Sequence, residues 1–96
     1  MSDSDRINEV CNLLALAALP SRLRVLRHLA IRAGELPALA EACGVEAHPL
    51  AGQLDLLRHA GLVAAIPAGD GLLFQITPTG IALVETIGVF QRRALI

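Results

Sequence analysis

Ninety-six residues, 54% of them hydrophobic, carry nine acidic side chains against eight arginines and no lysine, a formal net charge of −1. That length makes one domain with a modest core, and a pI near 6.2 is not the basic excess of a dedicated nucleic-acid module. A mean hydropathy of +0.58 is more apolar surface than so small a chain can hide alone, so a substantial homodimer interface is expected.

No uncharged apolar run reaches the ~18 residues of a membrane-crossing helix, and the dense stretch from Cys11 to Leu19 is stopped by Pro20. The first residues lack the basic, apolar and small-residue succession of a secretion signal, so a cytoplasmic protein with no membrane partner is expected. Cys11 and Cys43 make no disulfide framework in such a chain.

Residues 4 to 19 place Ile7, Val10, Leu13, Leu14 and Ala17 at close to helical spacing, with Ser4 as a cap and Asp5 favouring the positive end. Pro20 and Ser21 break that helix. Ser21 can cap a second one, with Leu23, Val25, Leu26, Leu29 and Ala30 inward, Arg22, Arg24, Arg27 and Arg32 outward, and Gly34 as its end. A third, short helix starts near Leu36-Pro37, where proline suits the first turn, and ends at Cys43-Gly44. The fourth starts near His48-Pro49, buries Leu50, Leu54 and Leu57 at i, i+4, i+7 spacing, and closes at Gly61.

Two short strands follow, Leu62 to Ile66 and Leu72 to Ile76. They are joined by a turn from Pro67 to Gly71 whose Gly69-Asp70-Gly71 supplies the positive φ angles a hairpin wants. Thr77-Pro78 caps a last helix with Ile81, Val84, Ile87 and Phe90 or Leu83 on its apolar stripe. The expected fold is mainly α with a small β-hairpin wing, in the order ααααββα. Helix, tight turn, helix and ribbon form a winged helix-turn-helix, used mostly to read DNA. The expected parts are one domain over 1–96, a helix-turn-helix over about 35–60, a wing over about 62–77, and dimerisation helices over about 4–19 and 78–95.

Four segments in order sharpen this reading. They are Leu19-Pro20-Ser21-Arg22-Leu23-Arg24-Val25-Leu26, then Gly34-Glu35-Leu36-Pro37, then Leu39-Ala40-Glu41-Ala42-Cys43-Gly44-Val45, then Leu56-Leu57-Arg58-His59-Ala60-Gly61-Leu62-Val63. Together, over roughly residues 14 to 77, they resemble the ArsR-type bacterial transcriptional regulators. The resemblance implies a homodimer with the first and last helices packed across the two-fold axis. It also implies a fourth helix in the major groove of DNA and a wing along the flanking backbone.

The chain departs from that pattern where charge matters. Members usually begin the reading helix with Ser, Thr and Gln followed by Ser-Arg-His-Leu; here stand Ala47, His48, Pro49 and Leu50, then Ala51-Gly52-Gln53-Leu54. Ala51 and Gly52 donate no side-chain hydrogen bond, and Gly52 costs a helix interior about 1 kcal/mol relative to alanine. Asp55 occupies an often basic position, residues 61 to 76 hold no Arg, Lys or His, and Asp70 sits at the wing tip. Each missing phosphate contact removes counterion release. The remaining candidates to touch DNA are His48, Gln53 and Arg58, plus Arg22, Arg24 and Arg27. Gln53 can pair with adenine through its amide. The four arginines of the second helix either grip a phosphate strand or form a solvated face paired with Glu35, Glu41 and Glu46. Arg92, Arg93 and His59 oppose helix C-terminal dipoles.

The resemblance implies metal sensing in some members, through a Glu-Leu-Cys-x-Cys segment in the third helix; the matching Glu35-Leu36-Pro37-Ala38-Leu39 has no thiol, and the last helix offers only Glu85. No metal site and no cofactor are expected. Cys11 and Cys43 read as two small buried hydrophobes or as a dithiol redox switch, the nearby Glu9 and Glu41 disfavouring thiolates. His28 reads as a core or interface histidine. No phosphate loop, Ser/His/Asp set or framed carboxylate pair is present, so no enzyme is expected. The alternative to DNA reading is a winged-helix module for dimerisation or for binding a protein partner, which Ala51, Gly52, Asp55 and the uncharged wing favour.

Overall fold

The computed structural model describes residues 3–94; the expected last position of the final helix, 95, lies outside them. The elements run α1 (Asp3–Ala17), α2 (Pro20–Ile31), β1 (Gly34–Glu35), α3 (Leu36–Cys43), α4 (Ala47–His59), β2 (Val63–Ala68), β3 (Gly71–Ile76) and α5 (Pro78–Ala94). The expected helices are all present. Their starts are not always where the serines suggested. Ser4 lies inside α1, and Ser21 lies one residue inside α2, whose N-cap is Leu19 with no side-chain cap and Pro20 in the first turn. A proline has no N–H to satisfy there, so Pro20 starts α2 by its fixed φ.

Two helix ends follow the glycines. Gly44, at φ 67°, lets its own N–H reach the Glu41 carbonyl (3.2 Å) and the Val45 N–H reach that of Ala40 (3.0 Å). Gly61, at φ 80°, repeats the arrangement on Arg58 and Leu57 at 3.0 Å each. Both are left-handed ends that glycine adopts without Cβ strain. Helix α2 ends earlier than expected, at Ile31 with Arg32 already extended, and Gly34 is drawn into a strand.

That strand is the main correction to the two-stranded ribbon. The sheet has three strands in the order β1-β3-β2, all antiparallel, with Gly34 opposite Phe74 and Glu35 opposite Leu73. Strand β2 also runs two residues further than expected, pairing Pro67 with Leu72 and Ala68 with Gly71. Pro67 is tolerated because β2 is an edge strand, where a missing N–H costs no ladder bond. The reversal is a two-residue loop, Gly69-Asp70, with positive φ at Gly69 alone.

The core gathers Ala17, Val25, Leu26, Leu29, Leu39, Ala40, Cys43, Leu50, Leu54, Leu57, Leu62 and Val63. All three leucines assigned to the inner face of α4 are there, whereas Ala30 of α2 is exposed and Leu23 only half-buried. Thr77 caps α5 as expected: its Oγ1 accepts from the Gly80 N–H at 3.1 Å and donates to the Gly61 carbonyl at 2.6 Å. The cap therefore also fastens α5 to the loop leaving α4. On α1 and α5 the apolar stripes are only partly covered. Leu13, Leu83, Val84 and Ile87 pack against the core, while Ile7, Val10, Ile81, Val89 and Phe90 are exposed.

Candidate nucleic-acid interface

Helix α4 sets the geometry of the site. With Leu50, Leu54 and Leu57 buried, the 3.6-residue period turns His48, Ala51, Gly52, Asp55 and Arg58 outward, and all five are exposed. Gln53 lies on the flank facing α2 and is half-buried. Its Oε1 accepts a hydrogen bond from Arg22 Nε at 2.7 Å, while Arg22 Nη1 donates to the Leu16 carbonyl at 3.2 Å.

The outer face of α4 neutralises itself. Arg58 Nη2 donates to Asp55 Oδ1 at 2.8 Å, and this bond holds the Asp55 carboxyl below the usual carboxylate range, with the nearby His59 and the Arg58 charge helping. His59 Nδ1 lies 2.8 Å from the Asp55 carbonyl, which can only accept, so that nitrogen is the donor. Asp55 thus stays ionised through the neutral range, on the face that would meet phosphate. Beyond it lies a mostly apolar groove lined by Leu36, Pro37, Ala51, Leu72 and Phe74.

The second-helix arginines do not form one strip. Arg22 turns to α4, Arg24 lies beside Cys43 and Gln53, and Arg27 faces the last turns of α5 near Glu85 and Arg92. Among the described residues none is ion-paired with Glu35, Glu41 or Glu46. Arg24, Arg27 and Arg32 are thus exposed without the glutamate pairing that the solvated-face alternative included. Arg22 is only half-exposed and is taken up by internal bonds.

The chain is 39% identical over 95 residues to the HTH-type transcriptional regulator NmtR of Mycobacterium tuberculosis, an alignment covering 97% of this chain and 78% of that one. The chain belongs to the ArsR family of transcriptional regulators. No family model matches it. Its backbone superposes with a TM-score of 0.85, at 26% identity, on the homodimeric winged helix-turn-helix DNA-binding domain of Mb0332 from Mycobacterium bovis, a possible ArsR-family regulator; 99% of this chain and 91% of that one are covered. M. tuberculosis Rv0081 gives a TM-score of 0.82 at 28% identity, over 99% of this chain and 95% of that one. Fold and family are those of transcriptional regulators.

Within this ArsR-family chain the cysteines occupy unlike settings. Cys11 is exposed on α1, and Cys43 is buried at the end of α3. Among the described residues no three His, Cys, Asp or Glu side chains gather as a metal ion would require. Burial pushes the Cys43 thiol up, and the Arg24 guanidinium only partly offsets it. A raised pKa means less thiolate at neutral pH. Alkylation of Cys43 in the folded protein is therefore expected to be slower than in the urea-unfolded chain, because burial both raises the thiol's pKa and limits access to it. Mass spectrometry of time-quenched iodoacetamide reactions reads this directly, and equal rates would contradict the buried setting.

What the sequence missed at this site is the partnership of Arg22 and Gln53. Both were candidates, but for DNA, and their separation of 31 positions gave no signal of contact. Pro20, whose break of the helix leaves the end carbonyls of α1 without helical partners, was the one available hint.

Proposed function

We propose that this ArsR-family chain acts in the cytoplasm as a homodimer that binds DNA, with α4 entering the major groove and the β2–β3 wing lying along the flanking backbone. The domain is divided accordingly: a helix-turn-helix over α3 and α4, a wing over β2 and β3, and dimerisation through α1 and α5. The observation that carries the reading is the placement of α4. Its leucine face is locked in the core while its opposite face stands free beside the wing.

The exposed Ile7, Val10, Ile81, Val89 and Phe90 support the dimer, since helices that leave large apolar side chains in water need a partner surface. The mycobacterial homodimer of the same fold supports it as well. Of the candidates, His48, Gln53 and Arg58 stand on or beside the free face of α4. Arg24, exposed on α2 beside Gln53, would meet phosphate at the margin of α4, whereas Arg27 faces α5 and is the weaker candidate. With an acidic tip and no basic residue from 61 to 76, nonspecific affinity is expected to be low and its salt dependence shallow.

Fluorescence anisotropy with the DNA upstream of the protein's own gene and with random DNA, at low and physiological salt, tests this. Saturable binding that prefers the upstream fragment is expected, from a protein that sediments as a dimer. No binding at low salt would overturn the DNA reading and leave a protein-binding module.

A further inference from the structure

Helix α1 ends against a proline. The carbonyl of Leu16 lies in the last turn of α1, which ends at Ala17, and so has no partner within its helix; the break at Pro20, a residue with no N–H, keeps the ladder from continuing. The donor comes instead from Arg22, whose Nη1 reaches the Leu16 carbonyl at 3.2 Å. The same guanidinium uses Nε to hold Gln53 Oε1 at 2.7 Å. One planar, always charged fork therefore joins the end of α1, the first turn of α2 and the middle of α4.

Gln53 matters because of its neighbours. Ala51 and Gly52 offer no polar group, and Asp55 and Arg58 are bonded to each other. Gln53 is the uncharged side chain on this stretch able both to donate and to accept. Left free, a glutamine samples many rotamers and loses that freedom on binding. Bonded through its oxygen to a part-buried arginine, it has one orientation before DNA arrives, and its amide hydrogens are the edge left to donate.

We infer that Arg22 is the positioning residue of the reading helix: it pre-orients Gln53 for one base pair and does not itself grip phosphate. This rests on the DNA-binding reading above. The base edges favoured are those presenting an acceptor in the major groove, such as guanine O6 and N7, adenine N7 or thymine O4.

The test is selection from a random-sequence duplex library by wild type, R22A, R22K and Q53A, followed by titration of the enriched duplex across a salt series. Wild type should enrich a motif. Q53A should lose preference at one base pair per half-site, roughly tenfold in discrimination. R22A and R22K should lose preference at that same pair, because neither replacement restores the two-pronged bond, and the R22A/Q53A double variant should lose no more than either alone. The slope of log affinity against log salt should stay unchanged in R22A, since no phosphate contact is removed. Melting curves of the variants show that each is folded.

A slope that falls by about one with the base preference intact would make Arg22 a phosphate contact and overturn the inference. So would loss of preference at a base pair that Q53A leaves untouched. Failure of wild type to enrich any motif would overturn the DNA-binding reading and this inference with it. Enrichment by wild type with unaltered preferences in R22A would sink the inference alone.

Discussion

Replacing Gly80 by alanine is expected to lower the melting temperature by on the order of 10 °C. Gly80 is buried in the first turn of α5, and a Cβ built on it would sit 2.4 Å from the Leu62 carbonyl oxygen and 2.6 Å from Ile76 Cγ1. The nearer atom is backbone and cannot swing aside. Moving it would strain the bond that the Leu62 carbonyl accepts from the Thr77 N–H at 3.0 Å, which joins the wing to the start of α5. Helix propensity pulls the other way by about 1 kcal/mol at most, and the overlap outweighs it.

Gly52 supplies the control. It too is helical, but nothing lies within 4 Å of its would-be Cβ, so Gly52→Ala should stabilise the protein by up to about 1 kcal/mol. Thermal unfolding of the two variants should move in opposite directions. A neutral Gly80→Ala would mean that α5 can slide away from Leu62 without loss.

The second large effect concerns affinity. Asp55→Ala should tighten binding to any duplex by roughly fivefold at low salt and steepen the log–log salt slope by about one. Two changes act together: a carboxylate leaves the outer face of α4, and Arg58, now bonded to Asp55 at 2.8 Å, becomes free to meet phosphate. Side chains here are about half exposed, 45% for Arg58 and 59% for Asp55, so the lost ion pair should leave the melting temperature almost unchanged. Anisotropy titrations at several salt concentrations measure both quantities. Unchanged affinity would show that this face of α4 does not approach the phosphates.

Much of the architecture was legible because it follows from local chemistry. Gly44 and Gly61 end their helices, Pro37 opens α3, Thr77 caps α5, and the Leu50, Leu54, Leu57 spacing puts one face of α4 in the core. What escaped depends on neighbours distant in sequence. Two residues, Gly34 and Glu35, carry no strand signal of their own and become a strand only because Phe74 and Leu73 present an open edge. Pro67 reads as a turn residue until β2 is known to be an outer strand. Ser4 and Ser21 were plausible caps, but a proline's fixed φ sets the start of α2 and Ser4 lies past the start of α1.

The site was legible as a list of polar residues and illegible as an arrangement. The family resemblance and the clustering of arginines on the second helix pointed to six candidates for DNA contact. Neither could tell that Arg22 is spent on Gln53 and Leu16, or that Arg58 is spent on Asp55, because each bond depends on a rotamer or a fold-level approach. Gly80 carries no signal in the sequence; only the packing of the Leu62 carbonyl and Ile76 against it makes a side chain costly there.

The short pairing of Gly34 and Glu35 with the central strand β3 bears on how the hairpin can bend. Its base is three strands thick and continuous with the first turn of α3, whereas the segment from Pro67 to Leu72 is two strands thick and ends in a two-residue loop. Flexing is therefore confined to the outermost rungs, and any larger swing of the hairpin must drag α3 along. A duplex of unusual width would be accommodated at the tip alone, or else by tilting the whole helix pair as one block.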